Sequence, residues 1–244
     1  MSLGTDAANE VDARLREQTD VERREFTKGY FPSALENLGV AVPHIRAVVR
    51  DLKRRFKHES ARTVIDAVRA ILRKNTLEGR QVAYLFLHEH PAAMASLDRK
   101  LLEELGRGID NWSSVDTFGC YVAGPSWREG RITDAVIRAW ARSKDRWWRR
   151  AALVSTVALN LPSRGGAGDT KRTLMIAARL VDDHDDMVVK GMSWALRSLG
   201  TVDPAAVEAF LVEHEDALHS RVLREVRSKL VTGLKTPKKL RKKA

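Results

Sequence analysis

The sequence predicts an all-α fold, a HEAT-like α-solenoid of about 12 helices stacked as antiparallel pairs. Three observations carry that reading. Strand signals are nearly absent, with no Asn-Gly or Asp-Gly turn between two alternating apolar runs. Apolar residues recur at helical spacing, and most runs start at Ser, Asp or Asn and stop at Gly or Pro. The first helices of successive pairs begin near Ser60, Ser96, Glu129, Asp169 and Asp203, 33 to 40 residues apart. One helix pair cannot bury its apolar face alone, so pairs at this period stack into a continuous core. A single domain over residues 5–233 is expected, followed by a basic, disordered tail over residues 234–244.

In chain order, residues 7–28 are charge-rich with sparse apolar spacing and read as one weakly amphipathic helix, ended by Tyr30-Phe31-Pro32. Residues 38–43 read as a loop, and Pro43 suits the first turn of the next helix, whose apolar face is Ile45, Val48, Val49 and Leu52. Arg46, Arg50, Lys53 and Arg54 populate its other face. Ser60 caps a helix (Val64, Ile65, Val68, Ile71, Leu72) that Gly79 breaks, and Arg80 to His88 forms another, stopped by Pro91. Ser96 starts a helix closed by Gly106 and Gly108; Asp110 or Asn111 caps the next, ending near Gly124-Pro125. Glu129 to Arg142, then Trp147 to Leu159 capped by Asp145, complete a pair. A glycine-rich loop over 161–168 follows. Helices capped by Asp169 and by Asp185 or Asp186, one opened by Asp203-Pro204, and a last one from Leu218 to Leu230 finish the chain. Trp140 continues an apolar stripe and is expected in the core, as is one of Trp147 and Trp148.

The net charge of +11 is unevenly spread. Lys235, Lys238, Lys239, Arg241, Lys242 and Lys243 hold six of those charges with no acid among the last ten residues, leaving a body at +5. A mildly basic body permits a polyanionic partner without demanding one. No apolar run approaches the roughly 18 residues of a membrane span, so no membrane partner is expected. The N-terminus has no signal-peptide core, and the one cysteine, Cys120, has no partner for an internal disulfide; a cytoplasmic location is expected.

The chemistry concentrates on Asn111-Trp112-Ser113-Ser114-Val115-Asp116. Residues at i and i+4 share a helix face, so the Trp112 indole and the Asp116 carboxylate stand side by side while Val115 and Phe118 face elsewhere. Other second helices carry aromatics and cations off their apolar stripes: Arg80 and Tyr84; Trp147 or Trp148 with Arg149 and Arg150; Lys190, Trp194 and Arg197, at i, i+4 and i+7. Aromatic and cationic side chains on one face suit nucleic acid, since Arg and Lys neutralise phosphate while indoles meet sugars or bases. Most tryptophans in helical proteins are core, and Trp112 and Trp194 are the two that fit the apolar phase worst. Asp182 to Asp186 looks like a metal cluster but reads as an acidic turn and cap, because five adjacent residues cannot converge on one ion. No metal and no cofactor are expected.

The chain resembles the AlkD-type DNA alkylation repair glycosylases over roughly residues 25–230. The resemblance rests on Gly39-Val40-x-x-Pro43-x-x-Arg46, Asn111-Trp112-x-x-Val115-Asp116, Arg149-Arg150-Ala151-Ala152 and Lys190-Gly191-x-x-Trp194-Ala195-Leu196-Arg197, in that order. It implies that Trp112 and Trp194 are active-site tryptophans, Asp116 the catalytic carboxylate, Arg150 a DNA-contacting arginine beside it, and Tyr30 a tyrosine near the lesion. It further implies a monomer that excises cationic alkylpurines (3-methyladenine, 7-methylguanine) from duplex DNA during base excision repair. Departures are the glycine-rich insertion around Arg164 to Gly168, and Ser113, where members often carry an acid. A non-catalytic binder of branched or damaged DNA, which lacks the catalytic pair, is the alternative; a protein-binding scaffold is a third and shows no such pair.

Overall fold

The helices begin where local chemistry starts them. In the computed structural model, which describes residues 2–30 and 32–236, Ser2, Asp20, Ser60, Thr76, Asp98 and Asn111 each accept a backbone N–H of the first turn that follows. Each such cap satisfies a donor that the helix itself cannot. Phe31 and the basic residues from Lys238 onward lie outside the described residues. The chain divides into two compact units, Met1–Thr133 and Asp134–Ala244.

Unit 1 contains α1 (Leu3–Glu17), α2 (Val21–Lys28), α3 (Val42–Arg55), α4 (Ala61–Leu72), α5 (Leu77–His88), α6 (Pro91–Ala95), α7 (Arg99–Leu105), α8 (Trp112–Phe118), a π-helical turn Gly119–Ala123 and α9 (Gly124–Arg128). Unit 2 contains α10 (Asp134–Ala141), α11 (Arg146–Asn160), a 3-10 turn Pro162–Arg164, α12 (Thr170–Ala177), α13 (Asp186–Leu199), α14 (Pro204–Glu213) and α15 (Ser220–Thr232). The fold class is the expected all-α solenoid: helices pack on helices, and the only β feature among the described residues is an isolated bridge between Glu36 and Thr76.

Unit 1 buries Val48, Leu52, Phe56, Val68, Ile71, Phe86, Leu87, Leu102, Phe118 and Trp127. Unit 2 buries Ile137, Leu153, Val157, Ile176, Val188, Leu196, Leu211 and Val226. Each such side chain contributes roughly 1.5–3 kcal/mol against exposure, far more than an exposed ion pair at about 0–1 kcal/mol. Pairs such as Arg14–Asp51 (2.7 Å) and Arg55–Glu10 (2.6 Å) therefore trim the packing of α1 on α3 rather than create it.

Six boundaries depart from the sequence reading. The first helix is two, because Asp20 donates its N–H to Leu38 O and caps α2 through its side chain. Gly39 makes that approach possible: its φ is +75°, and a Cβ there would lie 2.3 Å from Asp20 O. Gly79 does not break a helix but sits in the first turn of α5, where the Thr76 hydroxyl accepts its N–H at 3.1 Å. Pro91 starts a short helix rather than only stopping one, as its missing donor is harmless in a first turn, and Asp98 rather than Ser96 caps α7.

Gly124-Pro125 does not end the helix that begins at Trp112 either. Proline removes a donor and crowds the carbonyl one turn back. The helix widens into the π turn just before it, and the Ser126 hydroxyl donates to Val122 O at 2.7 Å. Glu129 closes this helix instead of opening the next. Gly130 (φ +74°) turns the chain, and Arg131 N–H reaches back to Ser126 O at 2.9 Å.

Trp140 is core, as expected. Neither Trp147 nor Trp148 is: both are half-buried, and Trp148 packs on Trp140 with ring centroids 4.8 Å apart.

Candidate nucleic-acid interface and catalytic face

Trp112 and Asp116 occupy the first and fifth positions of α8 and are both half-buried. Their helix is fixed from beneath by Val115 and Phe118, each fully buried, with Phe118 against Tyr84 at 5.4 Å. Its start is fixed by Asn111, 1% exposed, whose Oδ1 accepts Ser114 N–H at 2.9 Å. Asp110, one residue earlier, accepts the Ser33 hydroxyl at 2.5 Å, Ala34 N–H at 2.6 Å and the Asn111 amide at 3.1 Å. Burial pushes the Asp110 carboxyl up, but these hydrogen bonds outweigh it and hold the group below the usual carboxylate range. The carboxylate thus ties the segment after α2 to the start of α8.

That tie places Tyr30 on Trp112. The indole N–H donates to Tyr30 O at 3.0 Å, and the phenol ring meets the indole edge-on with centroids 5.2 Å apart. The donor and one approach of the indole are therefore occupied by the protein itself, while Tyr30 stays 62% exposed. Next to Trp112, Ser113 accepts from the Gln81 amide at 2.6 Å. Trp112 and Ser113 line a cavity of about 230 Å³ together with Arg23, Thr27, Asn37 and Glu78. A second cavity, about 400 Å³, lies between α3 and the α8 segment and is lined by Arg46, Arg50, Gln81, Thr117 and Tyr121. Arg46 is exposed there, as a phosphate contact requires.

Arg80 is a correction. It is 6% exposed, and its guanidinium donates to the Tyr84 hydroxyl and to Arg107 O, each at 3.0 Å. Tyr84, itself fully buried, donates onward to Leu105 O at 2.8 Å. The pair braces the end of α7, and the Arg80 guanidinium is turned to these internal acceptors. Sequence reading also passed over Phe26, which is 82% exposed on α2 with Arg23 one turn before it. The signal was an aromatic on a polar segment, hidden because that segment was merged with α1.

In unit 2, Lys190, Trp194 and Arg197 do follow one another along α13, exposed, half-buried and half-buried in turn. Lys190 pairs with Asp186 at 2.7 Å, which also takes Arg221 at 2.6 Å. Arg197 donates to the Ser193 hydroxyl at 3.2 Å, which donates to Glu225 at 2.6 Å; burial lowers the Arg197 pKa. Arg149 bridges a turn, donating to Asp183 (2.6 Å), Ser143 O (3.0 Å) and Lys144 O (2.9 Å). Arg150 is 5% exposed and donates to Met187 O at 2.6 Å. It passes over Gly191, where a Cβ would stand in ordinary van der Waals contact with Arg150 Cγ at 3.4 Å. These two arginines hold α11 to the start of α13. The acidic run behaves as a cap: Asp185 accepts Met187 N–H at 2.9 Å, and no group of three metal-ligating side chains occurs among the described residues.

What the unit 1 face can do chemically follows from its parts. A carboxylate and an indole one turn apart, on a helix packed from beneath and capped at its start, place an anionic type of side chain and a π face where a cation can meet both. The family model described as DNA alkylation repair enzyme matches residues 11–230. A search of curated proteins finds no match.

Proposed function

The chain belongs to the family of DNA alkylation repair enzymes, and from that premise we propose that it is a monofunctional DNA glycosylase excising positively charged alkylpurines from duplex DNA. The observation that carries the reading is the Trp112/Asp116 face of α8, held in place by Asn111, Asp110 and Tyr30.

The chemistry suits these residues. A purine alkylated at N3 or N7 is already cationic, so it leaves as a neutral base with the electron pair of the glycosidic bond and needs no strong general acid. Positive charge then develops on the sugar. The Asp116 carboxylate stabilises that charge and accepts the proton of the water that adds at the anomeric carbon. Trp112 offers its π face to the same cation, worth about 0.5–2 kcal/mol. Trp194 is assigned the second indole contact to the substrate. Lys190, Arg46 and Tyr30 are assigned to DNA. Arg149, Arg150 and Arg197 contribute chiefly by bracing α11, α13 and α15, since their guanidinium groups are engaged internally. The protein is proposed to work as a cytoplasmic monomer without a cofactor.

Incubation with methylated duplex DNA tests this. Free 3-methyladenine or 7-methylguanine and intact strands carrying abasic sites are expected. Tight binding without base release would instead make the chain a non-catalytic DNA binder.

A further inference from the structure

The unit 1 face has a second half. Trp112 starts α8, Asp116 lies one turn on, and the helix then widens into the π turn Gly119–Ala123. Such π turns recur at functional sites. This one brings Tyr121 to the wall of the cavity of about 400 Å³, with the Tyr121 ring edge-on to His88 at a centroid distance of 5.3 Å. Thr117, the residue after Asp116, lines the same cavity. Gln81 lines both this cavity and the smaller one at Trp112, and its amide donates to the Ser113 hydroxyl at 2.6 Å. Along α8, the indole end therefore opens on one cavity and the end past Asp116 opens on the other.

The second cavity is marked by its cations. Arg46 and Arg50 line it from α3, and both are exposed. They stand four residues apart on one helix face, where like charges repel. No ion pair to either occurs among the described residues. The nearby acids are taken. Glu89, the one carboxylate on the cavity wall, pairs with Lys53 at 2.6 Å, and Asp51, next to Arg50, is shared by Arg14 and Arg54. Two repelling guanidinium groups on a cavity whose acid is already engaged make a site for an external anion. Helix rise sets the two positions about 6 Å apart, so the two heads can hold separate anionic groups at once, as a phosphodiester chain presents them.

We propose that this cavity holds the backbone of the reacting nucleotide, with Arg46 and Arg50 on the two phosphodiesters that flank its sugar. The proposal rests on the reading that the chain excises bases from DNA at Trp112 and Asp116. It gives the nucleotide a direction on α8: base toward Trp112, sugar at Asp116, phosphates toward Tyr121. Arg50 enters as a further substrate ligand beside Arg46.

The test compares Arg46→Gln, Arg50→Gln and the double variant with the parent and with Arg62→Gln, which removes an exposed cation of α4 that does not line the cavity. Binding to undamaged duplex is measured from low to high salt. The slope of log K against log salt is expected to fall by about 0.9 for each single cavity variant and about 1.8 for the double one. Arg62→Gln is expected to change it less, and all the variants should melt as the parent does. The half-saturating protein concentration for single-turnover excision is then measured on a short duplex with one 7-methylguanine, flanked on both sides by ordinary phosphates or by uncharged methylphosphonates. The neutral linkages are expected to raise it about tenfold or more for the parent, the loss of charge-assisted hydrogen bonds, and to leave it unchanged for the double variant. Equal factors for these two proteins, or a slope that falls as far for Arg62→Gln, would overturn the subsite while leaving the DNA reading standing. Failure of the parent to bind duplex at low salt, or to release the base, would overturn the glycosylase reading and the subsite with it.

Discussion

The Trp112 indole donates its N–H to Tyr30 O at 3.0 Å while the Tyr30 ring stands edge-on to it at 5.2 Å. The indole is therefore oriented by backbone and ring together, across 82 residues of sequence. Trp112→Phe keeps an aromatic face and loses the donor. It is expected to cost about 1 kcal/mol of stability or less, since Tyr30 is exposed and water can replace the bond. Trp112→Ala removes the face itself, and a loss of about 2- to 30-fold in single-turnover excision is expected, the range that 0.5–2 kcal/mol of cation–π attraction corresponds to. A Phe variant as slow as the Ala variant would move the role of Trp112 from its π face to its N–H.

Asp110 should make the site acid-sensitive. Its carboxyl sits below its ordinary value near 3.9 when folded, so its contribution to stability is present above that value and is lost as pH falls through the lower, folded one. Asp110→Asn keeps the shape and removes the charge. Thermal melts should show the variant less stable than the parent by about 1–3 kcal/mol near pH 7. The gap should close as pH drops below about 4. A gap that is constant with pH would mean the carboxylate is not the group being titrated.

Arg80 and Arg46 should behave oppositely, although sequence reading put both on DNA. Arg80→Gln removes a donor from the buried Tyr84 hydroxyl and from the part-buried Arg107 O, and a stability loss of about 1–3 kcal/mol is expected with the salt slope of DNA binding unchanged. Arg46→Gln should leave the melting temperature alone and reduce the slope by about 0.9, one phosphate contact. Denaturant titration and salt-dependent binding on the same two variants check both halves.

Gly39 links the placement of α2 to the rest of unit 1. With φ at +75° and Asp20 O in the way of a side chain, Gly39→Ala is expected to cost roughly 1–3 kcal/mol in strain. It should also loosen the segment that carries Tyr30 to Trp112, so excision should drop with stability. A variant that melts as the parent does would remove this loop from the account.

The helices were legible in the sequence wherever the signal was local. Ser60, Asn111, Asp145, Asp169 and Asp185 act as caps because each side chain reaches an N–H within three residues. The break between α1 and α2 was not legible, since it depends on Leu38 O and the approach of Gly39. Pro91 and Pro125 misled for a related reason. A proline marks a place where a donor is missing, and only the surroundings decide whether the helix stops, starts or widens there.

The site divides along the same line. The side-by-side Trp112 and Asp116 follow from i, i+4 spacing alone. The burial of Arg80 and Arg150 does not, because a basic residue off an apolar stripe can be solvated or can brace a neighbouring carbonyl. Arg107 O and Met187 O decide that from 27 and 37 residues away.

The central claim is that Asp116 stabilises charge on the sugar. It is tested most directly by single-turnover release of 7-methylguanine and 3-methyladenine from methylated duplex, with the parent protein beside Asp116→Asn at concentrations that saturate binding for both. The account predicts a rate lower by about 10²–10³ for the variant, the loss typical of removing one preorganised electrostatic contact, with DNA affinity retained. Equal rates for the two proteins would contradict it.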